Sequence, residues 1–427
     1  MAILQNTQFV VKKLSITSFD GKVQFDIREV YEELSIFDNL MSPVMSGNVL
    51  IRDAVGLSKK IKFDGSEYID IEILKDADQP NKLWFKKRFV IYKQTDRKQV
   101  NESSELFILN FVSEEFILSQ QKKIQQLYKG EYSTIVQKIL KEQLLVNESQ
   151  VEKTRGLKEI VIPNLSPFDA IEYVTKRSVS DKGLPDFVFW QTQMAYNFKS
   201  LSEIIKSTTI ADINFGTKNL SKGPNTSDVR NEVFGARDVK ILSQFNYAEN
   251  IVGGVYAGKF VGFDTLTRTV LTTNVSRDDV YKLTGHANKN PINAKVPNKE
   301  KKTADSMYDS NMTVYPFQYA RSKNEWLKNK DKKTAYIIDD THSYILQRKA
   351  VFYNFLQKRL RITVPGNFML MSGYSVQVNM PNRNQETNVN GDESLSGKYV
   401  ITGVRHIIRF DKHETILEVA TDSTNQG

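Results

Sequence analysis

The chain of 427 residues contains no cysteine. That excludes disulfides, thiolate zinc sites and cysteine nucleophiles at once. It also fits folding in a reducing compartment. Histidine is scarce, with only His286, His342, His406 and His413. No two of them have the HExxH spacing that sets two imidazoles on one helix face around zinc. Nowhere do about 18 apolar residues run together, so neither a membrane-spanning helix nor membrane insertion is expected. The opening stretch, MAILQNTQFVVKKLSIT, has no apolar run or small-residue cleavage site of the kind a secretory signal needs.

Catalytic signatures are missing as well. There is no GxSxG elbow, no GxxxxGK[ST] phosphate loop, no GxGxxG dinucleotide loop and no EF-hand loop. Gly253-Gly254-Val255-Tyr256-Ala257-Gly258 reads as a turn with close backbone approach. Asp and Glu number 50, so carboxylates are available, but no segment nominates the facing pair a glycosidase needs. Glu114-Glu115 and Asp339-Asp340 read as first-turn acids that favour a helix dipole. His342 reads as a first-turn helix residue. His406 and His413 flank the turn between the last two strands. They could face each other and hold a metal, but no third ligand suggests itself, and the simpler reading is a solvated or hydrogen-bonded pair. No catalytic, cofactor-binding or metal-binding residue is therefore assigned.

What is present builds cores. The 24 Phe and 18 Tyr supply large apolar side chains. The formal net charge of +9 reads as a surplus of solvated lysines. The densest basic cluster, Lys299, Lys301, Lys302, Lys328, Lys330, Lys332 and Lys333, lacks the interleaved aromatics of a base-stacking platform.

The first stretch is written in period two. Phe9–Val11, Leu14/Ile16, Val23/Phe25/Ile27, Val49/Ile51, Ile69/Ile71/Ile73, Phe89/Ile91 and Leu106–Val112 predict an antiparallel sheet or barrel. Asp20-Gly21 predicts a hairpin with a type I′ turn. From Ser113 the period changes. Ile117, Ile124, Leu127 and Tyr128 predict a helix stopped at Gly130. A second helix is expected from Ser133, with Ile135, Val136, Ile139, Leu140 and Leu144 on one face. A third starts at Ser166-Pro167, where Ser caps and Pro takes the first helical position. Phe187–Trp190 returning through Ala195–Phe198 predicts a hairpin, and Ser202 a short helix. Gly216–Asp228 is the expected linker. Strands resume at Val239–Leu242, Lys259–Val261 and Val270–Leu271. Residues from 276 to about 340 read as a polar, lysine-rich, loop-like insertion, with Tyr315-Pro316-Phe317 and Trp326 as anchors. Tyr344–Phe355 reads as a helix capped by Thr341 or Asp340. Leu360–Val364, Tyr374–Asn379, Tyr399–Arg405 and Thr415–Ala420 read as strands, with a polar loop at Asn382–Gly391.

Two segments echo one another. Ser46-Gly47-Asn48-Val49-Leu50-Ile51 and Ser396-Gly397-Lys398-Tyr399-Val400-Ile401 each enter a strand from Ser-Gly. The same two segments carry a family resemblance. Around the first, Ser42-Pro43, Ser46-Gly47, Ile51, Asp53, Gly65, Glu67, Ile69 and Ile71 resemble the N-terminal part of the central hub proteins of contractile-tailed phage baseplates. Around the second, Leu395–Ser423, with Ser396-Gly397, Arg405-His406 and Asp422-Ser423, resembles the closing hairpin of those hubs. Gly254–Leu266 and Arg361–Pro381 resemble further hub segments.

The resemblance implies a mainly β fold: two tail-tube-like antiparallel β-barrel domains plus inserted modules. It sets residues 1–115 as a first barrel, 116–207 as an inserted α+β module, and 208–427 as a second barrel carrying the lysine-rich insertion. It implies a homotrimer forming a pseudo-sixfold ring, relatives in contractile injection systems, and no spike or lysozyme fused after Gly427. Expected partners are a spike or cell-puncturing protein, a tail-tube or tube-initiator protein, a tape-measure protein and other baseplate proteins. DNA would pass without sequence-specific binding. The expected place is the virion tail baseplate, assembled in the host cytoplasm. The alternative is a tail-associated cell-wall hydrolase with its site in the inserted module.

Overall fold

The computed structural model describes residues 9–57, 61, 63–75, 83–101, 104–215, 235–264, 268–283, 285–292, 308–316, 344–380, 392 and 394–425. Seven strands form the first β unit: β1 (Val10–Thr17), β2 (Gln24–Asp26), β3 (Tyr31–Asn39), β4 (Ser46–Asp53), β5 (Tyr68–Leu74), β6 (Leu83–Asn101) and β7 (Ser104–Val112). They pair antiparallel in the order β2-β1-β5-β6-β7-β4-β3. The period-two residues do what their spacing predicts. Leu14, Ile16, Ile69, Ile71, Ile73, Phe89, Phe107 and Phe111 are fully buried in one core.

The α+β elements follow as α1 (Glu114–Gln120), β8 (Ile124–Gly130), α2 (Tyr132–Gln143), β9 (Ser149–Val151), β10 (Lys158–Leu165), α3 (Pro167–Thr175), β11 (Phe187–Gln191), β12 (Tyr196–Ser200) and α4 (Leu201–Lys206). They enclose a second core around Val136, Ile139, Ile171, Val174, Phe187 and Phe198. Ser166 caps α3 by accepting from the Asp169 amide, with Pro167 at the first position, as the sequence predicts.

The rest of the chain gives β13 (Thr209–Asn214), β14 (Asp238–Ser243), α5 (Tyr247–Val252), β15 (Ala257–Asp264), β16 (Thr269–Ser276), α6 (Arg277–Tyr281), β17 (Asn290–Pro291), β18 (Met312–Pro316), α7 (Ile345–Phe355), β19 (Lys358–Pro365), β20 (Ser375–Asn379), β21 (Gly397–Ile408), β22 (His413–Thr421) and β23 (Ser423–Thr424). Strands β13, β14 and β19–β22 form the second β unit, with its own core of Leu360, Ile362, Val376, Ile401, Leu417 and Val419. One connection is not foreshadowed in the sequence. β21 pairs with β3 over Gly403–Ile408, so the two β units are hydrogen-bonded edge to edge in one 13-stranded sheet.

Several expectations need correction. The Asp20-Gly21 hairpin exists, since β1 pairs with β2, but only Gly21 has positive φ and the loop closes through Ser18 and Val23. It is therefore not a type I′ turn. Residues 124–130 form a strand against β10, not a helix. Ile124 and Tyr128 are buried and four apart, a spacing that suits both a helix and a strand, while Leu127 is exposed. Ser200, not Ser202, caps α4. Strand β3 is not marked by alternation in the sequence, because the adjacent pairs Glu32-Glu33 and Ile36-Phe37 interrupt it on either side of Leu34-Ser35. The stretch from 276 holds more than loop: α6, β17 and β18 lie in its described part, and β18 runs parallel beside β15. The linker at Gly216–Asp228, Trp326, Asp339-Asp340, Thr341, His342 and Asn382–Gly391 lie outside the described residues.

Candidate functional site

Among the described residues the most built features are joints between the units and one groove. The main joint is the loop between β19 and β20. Phe368 enters the first core, 4.9 Å from Phe85. The Ser372 hydroxyl and amide both donate to Asp38 on β3. The Ser372 carbonyl accepts from Trp190 Nε1 on β11 at 3.1 Å, and the Phe368 carbonyl accepts from Gln193 Nε2 at 3.0 Å. Gly373 has φ +80°, and a Cβ there would strike the Trp190 ring. One loop thus ties both β units and the α+β module together. Burial pushes the Asp38 carboxyl up to about 6. In the sequence, Pro365-Gly366-Asn367 and Ser372-Gly373 register only as turns. Nothing local marks Asp38 and Trp190, the partners of Ser372-Gly373, which are 334 and 182 residues from Ser372.

A second tie joins the module to the first β unit. Gln191 Oε1 accepts from the Met45 amide at 2.8 Å and from Ser113 Oγ at 2.6 Å, all buried. Gln191→Leu leaves the Met45 amide without that acceptor. We expect a loss of about 1–3 kcal/mol in urea unfolding. A change within ~0.5 kcal/mol would mean the bond carries nothing.

His406 and His413 do come together. His413 Nε2 lies 3.4 Å from His406 Nδ1, which is also 3.1 Å from Thr415 Oγ1. Both rings are buried against Phe368, and His413 also meets Phe9 and Trp84 edge-on. They are not solvated. Burial depresses both, His413 to about 3. Among the described residues no group of three or more His, Asp or Glu could hold a metal ion. His286 lies between the Asp422 carboxylate at 2.7 Å and the Tyr281 carbonyl at 2.8 Å, pinning the segment after α6 to the chain's last strands. Glu114 and Glu115 are first-turn acids of α1, and Gly253–Tyr256 is the turn between α5 and β15, in which Gly254 has φ +76°.

The module holds two carboxylates raised by burial, Glu152 and Asp186. Both serve the start of α4. Glu152 accepts from the Ser200 amide and hydroxyl, and Asp186 from those of Ser202. Asp186 is fully buried, beyond reach of a polymeric substrate.

A groove of about 680 Å³ opens between α3 and the first turn of α7, floored by Leu40, Val188 and Phe189. The α3 wall carries Asp169 and Glu172. Asp169 accepts from Ser166 Oγ at 2.6 Å, and Glu172 pairs with Lys176 at 2.5 Å. The α7 wall carries Arg348 and Lys349. Two carboxylates on one wall do not make the facing pair of a glycosidase.

This architecture, two mainly antiparallel β units with an α+β module between them, is shared with solved tail proteins. A tail protein from Neisseria meningitidis MC58 superposes with a TM-score of 0.54 at 12% identity, covering 96% of each chain. The 43 kDa tail protein of prophage MuSo2 from Shewanella oneidensis superposes with a TM-score of 0.55 at 8% identity, covering 96% of this chain and 99% of that one. In sequence, the chain is similar to the probable baseplate hub protein gp334 of Vibrio phage KVP40. The identity is 21%, over 97% of this chain and 95% of that protein. No family model matches. The hub resemblance read from the two Ser-Gly segments therefore extends over nearly the whole chain.

Proposed function

We propose that the chain is the structural hub of a phage tail baseplate. Three copies form a pseudo-sixfold ring that joins a sixfold tail tube to a threefold spike, with a lumen through which DNA and a tape-measure protein pass. Its place is the virion tail, after assembly in the host cytoplasm. Its role is mechanical and not enzymatic.

The observation that carries this reading is the full-length similarity to a probable baseplate hub protein. The topology supports it. In each β unit the Ser-Gly strand lies antiparallel between the strand before it and the unit's last strand: β4 between β3 and β7, β21 between β20 and β22. That is what duplicated units would give. The β3–β21 pairing is a lateral contact between two such units within one chain. Repeated between chains, contacts of this kind close a ring and remove strand edges. The small sheet β16-β15-β18 adds a face for assembly, with Phe263, Val270, Met312 and Val314 all more than 40% exposed on it.

Size-exclusion chromatography with light scattering is expected to give three times the chain mass of 49.0 kDa, and negative-stain images to give rings. A strictly monomeric protein that captures neither tube nor spike proteins would sink the reading. A cell-wall zymogram is expected to show no clearing, and reproducible clearing would favour the hydrolase alternative.

A further inference from the structure

The groove between α3 and α7 has an unbalanced charge. Arg348 is half-buried; its guanidinium lies over the Phe352 ring at 4.3 Å, and its Nη1 donates to the Pro185 and Phe187 carbonyls at 3.0 Å each. No carboxylate reaches it within ion-pair distance among the described residues. Its nearest acids, Asp186 and Glu172, act on it only at longer range. Desolvation lowers the guanidinium to about 10. A half-desolvated guanidinium with no carboxylate beside it is a site where an incoming anion gains a charge-assisted hydrogen bond. Lys349 stands beside it, exposed. Arg348 closes the first turn of α7 and Lys349 opens the second, and that first turn has no acid of its own although a helix start favours negative charge. The groove's own carboxylates are engaged on the opposite wall, by Ser166 and Lys176. The α7 wall is therefore positive and unneutralised.

The remaining lining is apolar and aromatic. Phe168 and Phe189 share the lining with Phe352 and Tyr353, and Tyr353 is 46% exposed. The volume matches pockets that take several side chains or a drug-sized molecule. Apolar walls with one wet, cationic lip suit an occupant that is apolar along its length and anionic at one point. A polyanion such as nucleic acid would want a continuous basic track, and Asp169 and Glu172 interrupt one here.

We propose that this groove docks an extended segment of a partner protein, which sets a carboxylate against Arg348 and Lys349 and lays apolar side chains between Phe168 and Phe352. The proposal rests on the hub reading in one respect only, that the partner is another protein of the tail. Charge-assisted pairing to guanidinium would give the contact its polarity, and the aromatic walls its area.

The test uses the full chain and two small probes, N-acetyl-phenylalanine and its carboxamide, titrated by calorimetry or ligand-observed NMR. The acid is expected to bind more tightly than the amide by roughly fivefold or more. Arg348→Gln and, independently, Lys349→Glu should each erase that preference while leaving the amide's binding in place. Lys349 is a surface residue, so its variant reports even where Arg348→Gln loosens the α7 contact. Equal binding of acid and amide, binding of neither, or inorganic phosphate competing as well as the acid would each overturn the proposal. Light scattering on the same samples separates the two readings. Trimers without acid preference leave the hub standing and remove the docking slot. A monomer with acid preference does the reverse.

Discussion

Gly47→Val is expected to leave little folded protein, with a loss of about 3 kcal/mol or more where any cooperative transition survives. Gly47 sits inside β4, paired to Ile36 on one side and Phe111 on the other. A Cβ at this position would strike both the Phe111 ring and the Ser35 carbonyl oxygen. The ring is fully buried and packs on Phe89 at 4.9 Å, so it has nowhere to go. The carbonyl belongs to β3, whose other edge is paired to β21, so it is held as well. Strain at Gly47 therefore reaches the strand that joins the two β units. Gly47→Ala combined with Phe111→Leu divides the cost. Relief by the second change measures the share due to the ring, and the remainder measures the backbone. A Gly47→Val protein that unfolds within ~1 kcal/mol of the parent, by thermal and urea unfolding, would show that the strand has room we do not see.

Gly47 also shows what sequence could and could not reveal. The Ser-Gly echo was legible, and both copies do enter strands. The reason for each glycine was not. At Gly47 it makes way for Phe111. At Gly397, with φ +154°, it makes way for the Asn288 side chain, whose amide bonds the Lys398 amide and carbonyl and reaches Thr421 and Ser423. The shared dipeptide serves two different visitors, and neither is a sequence neighbour.

The same division runs through the fold. Strands with one buried face, such as Ile69–Ile73, announce themselves by alternation. The capped helix at Ser166-Pro167 announces itself by its own residues. Strand β3, whose Glu32-Glu33 and Ile36-Phe37 pairs break the alternation, does not. Ile124 and Tyr128 mislead because a spacing of four fits two periods. The joints are the least legible of all. Asp38 with Ser372, Trp190 with Gly373 and Gln191 with Met45 are long-range pairs of common residues. Arg348 looks like any helix-surface arginine until its burial is known. With no catalytic motif in the sequence, only fold-level signals are legible there.

The buried histidines give the second large effect, a stability that depends on pH with a known sign. His413 has its folded value depressed from the ordinary 6.5 to about 3, because its ring is enclosed by Phe9, Trp84 and Phe368. The unfolded chain therefore takes up a proton that the folded chain refuses. Stability is full above 6.5 and is lost as pH falls from 6.5 towards 3. At pH 4.5 the loss from His413 alone is about 2–3 kcal/mol. His406, depressed in the same direction, adds to it. Asp38 works against both. Its folded value is raised from 3.8 to about 6, so the folded chain holds a proton that the unfolded one releases. Stability from Asp38 is present below 3.8 and is lost as pH rises through 6, which makes acid favourable by about 2 kcal/mol between pH 7 and 4.5. The parent protein's own profile is thus a difference of opposing terms, and the variants separate them. His413→Leu should gain on the parent by about 2–3 kcal/mol between pH 7 and 4.5, whatever its cost at pH 7. Asp38→Asn should fall behind the parent by about 2 kcal/mol over the same interval. Denaturant unfolding of the three proteins at both pH values gives the comparison. Parallel profiles for His413→Leu and the parent would mean that the imidazole takes up its proton in the folded state without penalty, and that the aromatic enclosure opens to admit it.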